Sequence, residues 1–292
     1  MKIILFTVAY CMAASEHSSP NEAIQLLEKT DIIASTPHPL ESLVDPFYAK
    51  SGSQPSNNQS ALAYFQKHLQ DEARKGWELS CIPRPWTYQP ESTEEDAPGP
   101  AQKHAFPTIL VPETLQVGPR PIYPDVYFSV YKDQDIETVP PASEISAFLI
   151  RDTLTDTINA LDFNRNATAR FLIEVDCYFS PNTFVRRATP FDKLRDMAGD
   201  RTTWKPEDIA VDAAFSQLFQ LPAPEHKLVY YHSVLTEACK IAPAAIAPSL
   251  GRAIRFMYRS LDRLDLELGQ RFLDWFAHHL SNFGFTWKWT EW

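Results

Sequence analysis

Apolar residues recur at spacings of three and four along most of this chain, the period of helices that bury one face. Leu62, Phe65, Leu69 and Ala73 share a face within a predicted helix from Ser60 to Trp77, and another predicted helix covers Asn21 to Ala34. Past residue 140 such stretches follow in quick succession. Ser143 to Leu161 carries Ala147, Ile150, Leu154, Ile158 and Leu161 on one stripe, and Ala167 to Phe179 follows at once. Ser180 to Ala198 is less regular and reads as a short helix with a loop. Pro206 stands where a first helical residue would, with Glu207 and Asp208 beside it favourable to the helix dipole. That helix uses Val211, Ala214, Phe215 and Leu218 and stops at Leu221-Pro222-Ala223-Pro224. Three more are predicted. Glu225 to Ile241 uses Leu228, Tyr231, Leu235, Ala238 and Ala242. Pro248 to Leu261 uses Leu250, Ile254, Met257 and Leu261. Asp265 to Phe283 uses Leu268, Phe272, Trp275, Phe276 and His279. Phe215, Leu235, Phe272, Trp275, Phe276 and His279 are therefore the core candidates.

Helices of this length joined by short connections imply antiparallel neighbours. The expected fold class is all-α, an irregular HEAT-like helical-repeat solenoid of the ARM type. Between residues 83 and 124 the period disappears: ten prolines and the acidic run Glu94-Glu95-Asp96 mark a linker. The expected organisation is a helical remnant over 1–82, a Pro-rich linker over 83–124 and a second helical domain over 125–292.

Composition narrows the function. Apolar residues make up 44% of the 292, ample for a packed core, while 8 glycines against 24 prolines argue against turn-rich sheets and phosphate-cradling loops. A net charge of −10 disfavours a broad grip on nucleic acid, which needs clustered Lys and Arg. Cys11, Cys81, Cys177 and Cys239 form no C-x-x-C pair, so a zinc site has no anchor. Cys177 and Cys239 lie in apolar helical patterns and read as small buried hydrophobes.

The opening Lys2 to Ser15 imitates a secretory signal, and sequons at Asn58 and Asn166 lend surface support. The competing reading is a helix of a packed domain. No apolar run reaches the ~18 residues of a membrane span.

Chemistry-bearing constellations are sparse. Nucleophile elbows, Walker loops, dinucleotide fingerprints and H-E-x-x-H are absent. His278 and His279 point about 100° apart on a helix and cannot share a metal there, and His279 on the apolar face reads as a hydrogen-bonded core histidine. Asp262, Asp265 and Glu267 read as caps and as partners for Arg259, Arg263 or Arg271 rather than as an acid–base pair. No catalytic, cofactor or metal residue is assigned. The alternating aromatics from Phe283 to Trp292 suit either a base-stacking platform or an arm packed over the last helices.

The stretch from Phe215 to Trp292 resembles the second helical domain of the large subunits of nuclear cap-binding complexes. Gln217–Pro224 (QLFQLPAP), Leu235–Pro243 (LTEACKIAP) and Arg271–Trp292 (RFLDWFAHHLSNFGFTWKWTEW) carry the resemblance. It is strong over 206–292 and weaker over 117–191, where Arg120-Pro121-Ile122-Tyr123-Pro124 resembles the lead-in to that domain. Ala61 to Trp86 resembles the end of the first domain. The resemblance implies a fold related to the middle domain of initiation factor 4G and a scaffold role without catalysis or cofactor. It implies a heterodimer with a small RRM subunit, which itself stacks the 7-methylguanosine cap, so capped RNA would be met only through that partner. Splicing, export and decay factors, a nuclear location with shuttling to the cytoplasm, and the absence here of the import segment and of the third domain are further implications. It also favours an internal helix over a signal for Lys2 to Ser15, and packing for the aromatic arm. A translation or decay scaffold of the same domain family is the alternative, with a secreted helical enzyme further off.

Overall fold

The computed structural model describes residues 1–14, 19–40, 60–84, 108, 110, 113–114, 122–197 and 202–291. Most of the Pro-rich segment, the acidic run 94–96 and the sequon at Asn58 lie outside these residues. The described residues form α-helices and short 3-10 turns, with no strand among them. In chain order the helices are α1 (Lys2–Ala14), α2 (Pro20–Ala34), α3 (Ala61–Lys75), α4 (Ile145–Ala160), α5 (Arg165–Ile173), α6 (Phe191–Asp196), α7 (Pro206–Leu218), α8 (Leu228–Ile241), α9 (Pro243–Arg259) and α10 (Leu266–Asn282). The all-α helical-repeat expectation holds.

The ends follow local chemistry. The Ser60 hydroxyl accepts from the Ala63 N–H at the start of α3, and Gly76 closes that helix at φ 82°, where a Cβ would be strained. Asn164 caps α5 and Asp265 caps α10 in the same way.

Three boundaries differ from the sequence reading, the first being the start of α8 at Leu228 rather than Glu225. The helix after Asn164 ends at Ile173 and gives way to a 3-10 turn, Val175–Cys177, which leaves Cys177 exposed rather than buried. Helix α9 begins at Pro243, five residues before Pro248, which sits inside it. Proline removes a donor to the carbonyl four residues back. Here that carbonyl belongs to Ala244, and Ala244 and Pro248 are both exposed, so the group is not left buried without a donor.

One apolar core runs from Leu5 of α1 to Trp275 of α10. Phe6, Phe65 and Phe148 stack in a row, with centroids 4.3 Å and 5.4 Å apart, and so join α1 and α3 to α4. Polar contacts follow the same seam: the Tyr10 hydroxyl donates to Asp152 at 3.0 Å, and the Ala61 N–H donates to the Asp125 carbonyl at 2.8 Å. Residues Lys2–Ala14 therefore pack as a helix whose Leu5, Val8, Ala9, Met12 and Ala13 are buried.

Helix α7 is central, touching α4, α5, α8 and α9. All its residues but Ser216 are buried. Three alanines, Ala210, Ala213 and Ala214, let the neighbours approach on several sides, so no single apolar stripe describes it.

Candidate functional site

The least expected polar chemistry in the chain lies along α7. Asp208 and Asp212 are one helical turn apart on the same face. Asp208 has no exposed surface, yet the guanidinium of Arg252 from α9 reaches both its oxygens, at 2.6 Å from Nη2 to Oδ2. The Ser249 hydroxyl donates to it as well, and Ser249 in turn meets the Tyr131 hydroxyl at 2.7 Å. Asp212 takes Arg151 from α4 and the Val130 N–H at 2.8 Å. Arg151 also donates to the Phe128 carbonyl and stacks its guanidinium on Tyr127, 3.9 Å from the ring centroid. The segment Tyr127–Tyr131 is thus a strap held over α7 by two carboxylates and two arginines. Beside it Lys205 and Glu207 form a third buried pair at 2.6 Å.

These groups are structural. Burial pushes the Asp212 carboxyl above its ordinary range while Arg151 beside it pulls the other way. Burial likewise lifts the Tyr127 phenol to about 12. A buried charge needs such partners, since an unpaired one costs several kcal/mol. Sequence reasoning missed this spine and credited Glu207 and Asp208 only to the helix dipole. The available signal was two aspartates at i and i+4 within an otherwise small and apolar helix.

A second clasp joins two of the resemblance-bearing stretches. Arg271, 4% exposed, donates to the carbonyls of Leu218, Gln220 and Pro222 at 3.2, 2.9 and 2.8 Å, and to Glu267 at 2.8 Å. The guanidinium, with donors in a fixed fork, suits a turn of bare carbonyls. Asp265 caps α10, Glu267 pairs with Arg271, and Asp262 lies 4.0 Å from Arg263.

The core candidates lie as follows. Phe215, Leu235, Phe272, Trp275 and His279 are buried, while Phe276 is partly covered and meets Trp287 edge-on at 5.7 Å. Phe215 and Trp275 form an edge-to-face pair at 4.7 Å. His279 is held by stacking on Trp275 at 5.3 Å, and its Nδ1 meets no hydrogen-bond partner among the described residues, unlike the hydrogen-bonded histidine expected. Burial pushes its pKa down to about 4. His232 on α8 faces His278 at 5.3 Å and is pushed to about 4 as well, by burial first and by His278 second. Among the described residues no group of three His, Cys, Asp or Glu could hold a metal.

The aromatic arm divides. Phe283 and Trp287 pack against the core, whereas Phe285 is 62% and Trp289 51% exposed. Cys81 is buried and its thiol lifted to about 11, which removes it from nucleophilic use at neutral pH. No helix of the described residues is long and apolar enough to cross a membrane.

A helical-repeat protein built around a buried polar spine is the class that these features define. The chain belongs to the MIF4G-like family, whose pattern it matches over residues 140–292. It is similar to nuclear cap-binding protein subunit 1 of Schizosaccharomyces pombe, at 34% identity over the whole of this chain and 36% of that protein. It is also similar to nuclear cap-binding protein complex subunit 1 of Saccharomyces cerevisiae, at 38% identity over 54% of this chain and 19% of that protein. Human nuclear cap-binding protein subunit 1 is 44% identical over 28% of this chain and 10% of its own length. The chain therefore spans little more than a third of the first of these relatives.

Proposed function

We propose that this chain forms the middle region of the large subunit of a nuclear cap-binding complex and acts as a scaffold without a catalytic site. Residues 125–292 make its second helical domain, residues 1–82 close the first, and the Pro-rich stretch 83–124 links them. The scaffold holds a small RRM subunit that binds the 7-methylguanosine cap and connects capped RNA to splicing, export, decay and translation, in the nucleus with shuttling to the cytoplasm. The observation that carries this reading is the 34% identity to a nuclear cap-binding subunit along the whole chain. The Arg271 clasp supports it: the turn Leu218–Pro222 and helix α10, drawn from separate resemblance-bearing stretches, meet in one packed unit. The buried carboxylates Asp208 and Asp212 are committed to Arg252 and Arg151, which suits a rigid support better than a reaction site.

Calorimetry of this chain against the RRM subunit is the test, with a longer relative's large subunit for comparison. Contacts spread over several helical domains combine through effective concentration, so a chain carrying part of them binds roughly 10²–10⁴-fold more weakly. The chain alone gives no cap-dependent binding to a fluorescent capped oligonucleotide. Cap-dependent binding at micromolar concentration without the partner overturns the reading. So does capture of a DEAD-box helicase with no heat signal from the RRM subunit.

A further inference from the structure

A cleft of about 450 Å³ opens where the turn at Ser80–Cys81 meets the start of α4 and the loops Pro181–Thr183 and Thr202–Trp204. Its volume falls in the range of roughly 300–1,000 Å³ typical of small-ligand sites. Among the described residues that line it, none is charged, and the polar groups are mainly hydroxyls.

Three of those hydroxyls have already committed their hydrogens. Thr183 donates to the Ser180 carbonyl at 2.7 Å, Thr202 to the Thr183 carbonyl at 3.1 Å, and Thr203 to the Glu137 carbonyl at 2.6 Å. What these oxygens have left for a visitor is lone pairs, so the wall is acceptor-rich. Trp204 adds an indole, and the chain around it is pinned: the Val185 N–H donates to the Trp204 carbonyl at 2.9 Å, and the Trp204 N–H donates to Thr202 at 3.2 Å. An aromatic face beside acceptors, with no cation among the described lining residues, suits a positively charged ligand.

Two exposed carboxylates stand close to this wall. Glu144, exposed, ends the turn before α4 two residues from Ser146 of the cleft, and Glu137, also exposed, supplies the carbonyl that takes Thr203. The two carboxylates are near enough for Glu137 to lift the Glu144 pKa beyond what burial does. Two lysines here are ion-paired, Lys75 with Glu72 at 3.4 Å and Lys205 with Glu207, while the Arg84 guanidinium is tied to the carbonyls of Trp77 and Glu78 at 2.6 and 3.1 Å and keeps its charge there.

We propose that this cleft receives an arginine side chain presented by an extended peptide of a partner protein. A planar guanidinium stacks on Trp204 while its several donors reach the threonine oxygens, and Glu137 and Glu144 steer it in. Lysine, a compact and strongly hydrated charge, fits the same wall less well. The proposal does not depend on the cap-binding reading, because it concerns only the chemistry of this wall.

The full chain titrated with N-acetyl-Gly-Arg-Gly-amide, and with its Lys and Glu counterparts, decides the matter when the tryptophan indole N–H resonances are followed. The Trp204 resonance shifts saturably with the arginine peptide, less with lysine and not with glutamate. The exposed pair Glu137→Lys with Glu144→Lys leaves the circular dichroism unchanged and weakens arginine binding by about tenfold or more, as loss of attraction and added repulsion require. Trp204→Ala weakens it too, but that half-buried ring also packs, so the charge reversal is the decisive variant. No Trp204 shift with the arginine peptide, equal responses to arginine and glutamate, or undiminished binding by the charge-reversed protein overturns the proposal.

Discussion

Arg252 holds both carboxylate oxygens of Asp208 at a point in α7 where Asp208 has no contact with solvent. The pair spans two helices, and Ser249 and Tyr131 extend it to the strap over α7. Removing the carboxylate leaves Arg252, whose side chain is only 20% exposed, without its counter-charge, so Asp208→Ala lowers stability by about 2–4 kcal/mol, somewhat less than for a fully buried partner. Replacing both, as Asp208→Leu with Arg252→Met, costs less than the single change, because neither charge remains. Urea unfolding of the three proteins checks the order; a double variant weaker than Asp208→Ala contradicts it.

Trp275 packs edge-on against Phe215 with no exposed surface. Trp275→Ala loses that burial and opens a cavity, at about 3–5 kcal/mol. Lys288→Ala, at an exposed position of the arm, stays within about 0.5 kcal/mol. Equal urea midpoints for wild type and Trp275→Ala would remove α10 from the core.

The division of the aromatic arm gives a paired test. Trp287 meets Phe276 edge-on and lies under Arg255, with 5.8 Å from the guanidinium carbon to the ring centroid, whereas Trp289 is half exposed. Trp287→Ala destabilises by more than 1 kcal/mol, on the order of a partly buried aromatic contact, and Trp289→Ala by well under that. Thermal midpoints that fall equally for both contradict the division.

Acid acts on the α8–α10 seam. His232 and His279 titrate near 4 in the folded chain against an ordinary 6.5, so the unfolded chain binds protons more readily between those values. Their contribution to stability is complete above pH 6.5 and is lost as pH falls toward 4. Asp152, lifted by burial to about 6, has the opposite sign: it takes its proton more readily when folded and favours the fold as pH falls below 6. The double variant His232→Gln with His279→Gln therefore shows a flatter loss of stability from pH 7 to pH 5 than wild type, and Asp152→Asn a steeper one. Urea midpoints at the two pH values measure both. Parallel slopes in all three proteins would show that these groups titrate alike folded and unfolded.

Much of the fold was legible in particular residues. The three-and-four spacing of Leu62, Phe65 and Leu69 predicts α3, and the Pro206 start and the stop at Leu221–Pro224 bracket α7. Pro248 misled because proline reads as a first helical residue, while an exposed position five residues inside a helix tolerates it just as well. Cys177 misled because an apolar run was extended through a turn. Of the site, Asp265 as a cap and Glu267 as a partner of Arg271 could be read from local spacing.

What the sequence by itself determined is local: helical period, caps, stops, the absence of familiar catalytic motifs, and a resemblance carried by long irregular stretches. Those depend on residues within a turn or two of one another, where backbone geometry sets the distances. What only the tertiary structure decided is which distant groups share a space. Asp208 meets Arg252 across 44 residues and Asp212 meets Arg151 across 61. The cleft of Trp204 is assembled from four separate stretches of chain. Helix packing chooses such partners, and no spacing along the chain encodes the choice, because a buried charge is satisfied by whichever counter-charge the neighbouring helix brings within reach.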